Sequence, residues 1–258
     1  MSSVTLTLAQ MQVRNGVPRT NWTNMQAMTT EAARRGSDAV IFPELWDAGM
    51  RFEVAKDVAS SLSGGLFAQV AALARQQDIH IFGTQYEKRG TGFHNTLAAI
   101  SPRSGVMAAY RKIHLFPLDD EDKWLMPGEA PLALDMPWGR TAFAICYDLR
   151  FPELFRRYAS EGAALVIVPA AWPHPRLEHF RTLLRARAIE NQCFVAAVNR
   201  VGMEEDGTHY FGHSCVIDPW GEIVVEAGGT EGLFTATIDL DFVREVRQAL
   251  PALDSRRL

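Results

Sequence analysis

The chain has 258 residues, 47% hydrophobic and 22% charged, with a formal net charge of -4. That composition suits a single α/β domain over residues 1–258 with one sizeable core, and mild acidity with scattered Arg and Lys argues against a nucleic-acid partner. No apolar stretch reaches the ~18 residues of a membrane span, and the first residues lack a signal peptide's basic segment and apolar core.

Cysteines stand at 146, 193 and 215 with no C-x-x-C pair. An odd number without a pairing pattern predicts no disulfide framework and a reducing, cytoplasmic setting.

In chain order, the alternation of apolar and polar residues predicts a strand over Val4–Gln10, a helix over 21–35 and a strand over 39–42 that ends at Pro43-Glu44. A helix over 66–77 and a strand over 79–83 follow. Residues 95–100 and 106–111 flank the turn-forming run Ser101-Pro-Arg-Ser-Gly105, which predicts a hairpin. Further on, 141–146 reads as a strand, 152–161 as a helix opened by Pro152, and 165–168 as a strand. A helix over 177–190, a strand over 194–198 and a second hairpin around Pro219-Trp220-Gly221 come next. A strand over 233–238 and a helix over 240–250 end the chain. Arg156-Arg157 and Arg185/Arg187 read as solvated helix faces.

Strand ends are where α/β folds place chemistry, and three reactive groups stand at them. Glu44 follows Ala-Val-Ile-Phe-Pro, Lys112 follows Val-Met-Ala-Ala-Tyr-Arg, and Cys146 follows Thr-Ala-Phe-Ala-Ile. A thiol nucleophile, a carboxylate to take its proton and a cation for the oxyanion together suit acyl transfer. Backbone N–H groups and the dipole of the helix opened by Pro152 are expected to lower the Cys146 pKa. Taken singly, each residue also has a plainer reading: inert packing for the cysteine, a surface turn for the glutamate, edge decoration for the lysine.

Other chemistries lack their signatures. There is no G-x-S-x-G elbow, no phosphate-binding G-x-x-x-x-G-K-[ST] loop and no H-E-x-x-H helix. Gly64-Gly65 and Gly228-Gly229 read as turns. His209 and His213 offer only a weak pair for a metal, so neither a cofactor nor a metal is expected.

Four blocks, Ile41-Phe-Pro-Glu44, Tyr110-Arg-Lys112-Ile-His-Leu-Phe116, Cys146-Tyr-Asp-Leu-Arg-Phe-Pro-Glu153 and Ala186-Arg-Ala-Ile-Glu-Asn-Gln192, occur in this order. Together they resemble the nitrilase superfamily of carbon–nitrogen hydrolases over roughly residues 4–242. The resemblance implies a four-layer α-β-β-α sandwich with mixed sheets, and a Glu–Lys–Cys set at Glu44, Lys112 and Cys146. It also implies a second glutamate between the lysine and the cysteine, placed at Glu121, with Asp119, Asp120, Asp122 and Glu129 as nearby candidates. Homodimers or larger homo-oligomers are common in the family.

The cysteine block is most similar to the ω-amidase branch, whose members cleave monoamides of short dicarboxylates such as α-ketoglutaramate to acid and ammonia. Deaminated-glutathione amidase and a catalytically idle scaffold are the alternatives. For a small amide substrate, the expected contacts are the Tyr147 backbone N–H on the oxyanion, Arg150 on a distal carboxylate and Trp172 on the pocket wall. Arg150 could instead brace the turn through an ion pair with Glu153 or Asp148, and Trp172 could be ordinary packing.

Overall fold

A computed structural model describes residues 3–257. In chain order the elements are β1 (Ser3–Gln10), α1 (Pro18–Arg34), β2 (Ala39–Ile41), α2 (Ala55–Val58), α3 (Gly65–Gln77), β3 (His80–Phe82), β4 (Thr84–Arg89), β5 (Gly92–Ser101), β6 (Gly105–Arg111) and α4 (Glu121–Trp124). The second half holds β7 (Ala133–Met136), β8 (Gly139–Phe143), α5 (Pro152–Ser160), β9 (Leu165–Ala170), α6 (Leu177–Asn191), β10 (Phe194–Asn199), β11 (Val201–Met203), β12 (His209–Phe211), β13 (Cys215–Ile217), β14 (Ile223–Glu226), β15 (Gly232–Asp239) and α7 (Asp241–Ala249).

One sheet runs β15-β1-β2-β3-β5-β4 with β6 added beside β5, and the other runs β14-β13-β10-β9-β8-β7. Each has a parallel centre, β1-β2-β3 in one and β8-β9-β10 in the other, extended by antiparallel neighbours. The strand alternation explains why the sheets stack. In β2, Ala39 and Ile41 face the second sheet while Val40 faces the helices; in β5, Leu97 and Ala99 take the first direction and Ala98 and Ile100 the second.

Met25, Met28 and Ala32 of α1, with Phe67, Val70 and Leu73 of α3, cover the outer face of the first sheet. Phe155 and Tyr158 of α5, with Phe180 and Leu184 of α6, cover the second. Every residue of β9 and β10 is buried, as parallel strands covered on both faces require. The result is the expected α-β-β-α sandwich with mixed sheets.

Helix α1 begins at Pro18 rather than at residue 21, because proline is well placed at a first helical position. Strand β4 has no counterpart in the sequence reading. Its Thr-Gln-Tyr-Glu-Lys-Arg lacks apolar alternation, yet Thr84–Glu87 are all buried. The three-residue β11 and β12 and the short β7 were likewise unmarked.

Candidate active site

Two sheets meet at the ends of their parallel strands, and the predicted polar groups converge there. Glu44 lies three residues past β2, with its backbone N–H donating across the sandwich to the carbonyl of Ala170 at the end of β9 (3.3 Å). Lys112 directly follows β6, and its N–H donates to the carbonyl of Asn95 on β5 (2.9 Å), extending the β5–β6 ladder by one step. Glu121 opens the short α4. Its acidic neighbours Asp119, Asp120 and Asp122 are exposed, whereas Glu121 is fully buried.

Lys112 Nζ donates to Glu44 Oε1 at 2.8 Å and to Glu121 Oε2 at 2.7 Å, with all three side chains inaccessible to solvent. Asn95 Nδ2 bridges the same two carboxylates at 2.8 and 3.1 Å, and the Phe116 N–H adds a third donor to Glu121 at 2.7 Å. Among the candidates around position 121, burial and this bonding single out Glu121.

Cys146 lies three residues beyond the end of β8, in a 3₁₀ turn over Cys146–Arg150. Its φ of +47° is the left-handed region that costs a side-chain-bearing residue about 1–2 kcal/mol. Asp148 holds the turn in that shape. Its carboxylate accepts the Ile145 N–H at 2.9 Å, the Tyr110 hydroxyl at 2.7 Å and the His114 N–H at 3.0 Å, while His114 Nδ1 lies 2.7 Å away. The His114 ring stacks on Phe151 at 3.6 Å between centroids. One buried acid thereby ties β6, the segment after Lys112 and the cysteine turn together. Arg187 of α6 supports the same turn from below by donating Nε and Nη2 to the Leu149 carbonyl at 3.1 and 2.8 Å. It is 4% exposed, which overturns its reading as part of a solvated face.

Burial pushes the Glu44 carboxyl up; the Lys112 ammonium pulls it back, and the Glu121 charge adds to the rise. Burial opposes the charge on Lys112 too, but the two carboxylates outweigh it and the amine sits well above its ordinary value. Burial and then the Glu44 charge drive the Cys146 thiol well above its usual range, more than Lys112 lowers it. The depression expected from the helix and its backbone N–H groups is therefore outweighed by desolvation. Burial favours the neutral thiol at Cys146, beside the Glu44 carboxylate, which is the nearest base for its proton.

A solvent-open cleft is lined by Cys146 and Lys112. Tyr147, Arg150, Trp172, Met50, Phe116, Asp119 and Arg176 line it. The Arg150 guanidinium lies 4.6 Å over the Trp172 ring and 5.9 Å over that of Tyr147. Asp148 is committed elsewhere, and among the described residues no carboxylate lies within ion-pair distance of Arg150. That removes the turn-bracing alternative. Trp172 is 4% exposed and packs on Phe180 at 5.5 Å, so it serves the core and the cleft wall at once.

The sequence model for carbon–nitrogen hydrolases matches residues 5–248. The chain belongs to the carbon–nitrogen hydrolase family. This hydrolase is 34% identical to the 2-oxoglutaramate amidase of Bacillus subtilis, across 98% of this chain and 97% of that protein. It is 32% identical to the omega-amidase NIT2 of Mus musculus, across 100% and 96% of the two chains. Its fold superposes on the crystal structure of the Xanthomonas campestris CN-hydrolase superfamily protein XC1258, which carries an arsenic adduct in its active site, with a TM-score of 0.93 and 34% identity over 100% and 99% of the chains.

The structure of the hydrolase brings Glu44, Lys112, Glu121 and Cys146 into one cluster and places Tyr147, Arg150 and Trp172 around its opening. Besides Met50 on the cleft wall, Asn95, Asp148, Arg187 and Arg176 build the site without a signal of their own in the sequence. Asn95 sits mid-strand without a local signal. Asp148 and Arg187 lie inside the quoted blocks but were given no role beyond the turn and the solvated face. Arg176 precedes α6 with nothing to mark it. His213, a candidate metal ligand by sequence, has Nδ1 3.1 Å from both Arg181 Nη2 and Glu226 Oε1, and the His209 ring packs at a tilt against that of His174, 4.9 Å between centroids.

Proposed function

We propose that this carbon–nitrogen hydrolase is an ω-amidase, cleaving the terminal amide of a short dicarboxylate monoamide such as 2-oxoglutaramate to the diacid and ammonia. One observation carries the reading: the buried Glu44–Lys112–Glu121 cluster and Cys146 meet at a cleft that Arg150 also lines. The 2-oxoglutaramate amidase and omega-amidase names of its relatives support the same substrate class.

In this reading Cys146 Sγ attacks the amide carbonyl as its proton passes to Glu44. The carbonyl electrons move to oxygen, and the oxyanion is held by the Lys112 ammonium and the Tyr147 backbone N–H. Donors of this kind are each worth about 3–4 kcal/mol in the transition state. The C–N bond breaks as nitrogen takes the proton from Glu44, ammonia leaves, and a thioester remains on Cys146. Glu44 then takes a proton from water, whose oxygen adds to the thioester carbonyl, and the acid leaves as the thiol is restored. Glu121 keeps Lys112 charged and in place. Arg150, stacked on Trp172, pairs with the distal carboxylate.

The 2-oxoglutaramate amidase and omega-amidase relatives, matched over almost their whole length, favour a short monoamide over the longer chain of deaminated glutathione. We place the enzyme in a reducing compartment on the strength of three free cysteines, and no helix among the described residues is long and apolar enough to cross a membrane. We further take the face bearing Ile189 and Ile223, which are 48% and 42% exposed, as the contact between two copies.

Ammonia release from a panel of 2-oxoglutaramate, succinamate, deaminated glutathione, nitriles and carbamoyl amino acids tests the reading. Highest kcat/KM on 2-oxoglutaramate is expected; preference for deaminated glutathione or a nitrile overturns it.

A further inference from the structure

The cleft holds more positive charge than a single distal carboxylate requires. Besides Arg150, Arg176 projects into it, half-buried, with its guanidinium 5.3 Å over the Phe116 ring. Phe116 is fixed in turn, because its N–H donates to Glu121, so the arginine is mounted on the wall beside the reacting cluster. Among the described residues no carboxylate lies within ion-pair distance of Arg176. Among the described residues Asp119 is the one acid lining the opening; though exposed as a whole residue, its carboxyl is partly desolvated, which raises it, and the Arg176 charge pulls it back down.

These groups sort substrates by the chemistry at the carbon next to the acid. A 2-oxo acid offers a planar set of acceptor oxygens and no donor, which two guanidiniums can share. A 2-amino acid puts an ammonium there, which the guanidiniums repel and only Asp119 could receive. We propose that Arg176 and Asp119 form a specificity pair: Arg176 binds the oxygens of a 2-oxo acid end, and its charge keeps Asp119 from welcoming a 2-amino group. The consequence, which rests on the ω-amidase reading, is discrimination of 2-oxoglutaramate from glutamine, two molecules of matching length and the same terminal amide.

Steady-state kinetics of the full chain on 2-oxoglutaramate, glutamine and succinamate test this. Arg176→Ala is expected to lower kcat/KM for 2-oxoglutaramate roughly 10- to 100-fold, mostly through KM, as loss of a hydrogen bond to a charged group does. Succinamate, with a carboxylate but no oxo group, loses less. Glutamine holds or improves, so the preference ratio collapses. Arg176→Lys keeps the charge and restores the rejection of glutamine while recovering only part of the 2-oxoglutaramate KM. Adding Asp119→Asn to Arg176→Ala removes the gain on glutamine. A uniform fall in kcat on all three substrates with unchanged KM values, or an unchanged preference ratio in Arg176→Ala, overturns the specificity pair while wild-type turnover of 2-oxoglutaramate leaves the ω-amidase reading intact. A wild-type enzyme inert on 2-oxoglutaramate overturns both.

Discussion

The guanidinium of Arg187 grips the carbonyl of Leu149 through two N–H groups, at 3.1 and 2.8 Å. Leu149 lies three residues past Cys146, so α6 holds the strained turn through a residue that does not line the cleft. A third N–H pairs with Glu190 at 2.9 Å, and the guanidinium lies 5.4 Å over Phe155. Arg187→Lys keeps a charge but loses the fork, leaving the buried carbonyl with poorer partners. An expected loss of about 1–3 kcal/mol follows from an under-satisfied buried group, measured by urea unfolding. A fall in kcat larger than any change in KM is expected with it.

Lys112 neutralises two buried carboxylates, so its removal should cost structure as well as chemistry. Lys112→Met leaves Glu44 and Glu121 facing each other without a counter-ion, a loss of about 3–5 kcal/mol on the scale of broken buried pairs. Combining it with Glu121→Gln removes one of the stranded charges and is expected to return part of that stability with no return of activity. Chemical denaturation beside an ammonia assay separates the two effects. Recovered activity in the double variant would remove Lys112 from the reaction.

Asp47 predicts an unusual pH dependence. It is 1% exposed, and burial pushes its carboxyl up to about 7 although the Tyr86 N–H donates to it at 3.1 Å. In the unfolded chain an aspartate ionises near ~3.9. The folded state therefore holds the proton more tightly, and the stabilisation from Asp47 is complete below the unfolded pKa and lost as pH rises through about 7. Between pH 5 and pH 8, unfolding free energy is expected to fall by a few kcal/mol through this residue. Asp47→Asn, which keeps an acceptor for Tyr86, should flatten that slope. An unchanged slope in the variant would assign the effect elsewhere.

The three thiols should differ sharply in reactivity. Burial pushes Cys193 and Cys215 up to about 12, with exposures of 1% and 4%, and neither lines the cleft. Cys146 also resists ionisation, but it faces the cleft with Glu44 at hand. Iodoacetamide is expected to label one residue per folded chain, Cys146, at a rate that drops in Glu44→Gln. Peptide mapping checks both the site and the rate; even, slow labelling of all three would favour the idle-scaffold alternative.

Much of the sandwich was legible because burial on one face or both writes itself into the pattern. The alternation in β1 and the apolar runs of β9 and β10 fix strands, and Pro152 marks the start of α5. Strand β4 was silent because its polar residues are buried by partners distant in sequence: Glu87 accepts from Thr96 and Arg111, and Tyr86 donates to Gly49. The site followed the same division. Glu44, Lys112 and Cys146 stand at strand ends and could be named. Composition does not tell Glu121 from its acidic neighbours; its burial and its bonds to Lys112, Asn95 and Phe116 do. Arg187 looked like any helix arginine, and its burial depends on how α6 lies on the turn. Arg176 became visible only once the cleft existed to hold it.

The most direct test is rapid-quench mass spectrometry of the full-length enzyme during turnover of 2-oxoglutaramate. An acyl group is predicted to appear transiently on the peptide containing Cys146 and to decay as the diacid forms, with neither adduct nor ammonia in Cys146→Ala. Ammonia release at the wild-type rate from Cys146→Ala, in a protein that still folds, would contradict the thioester route.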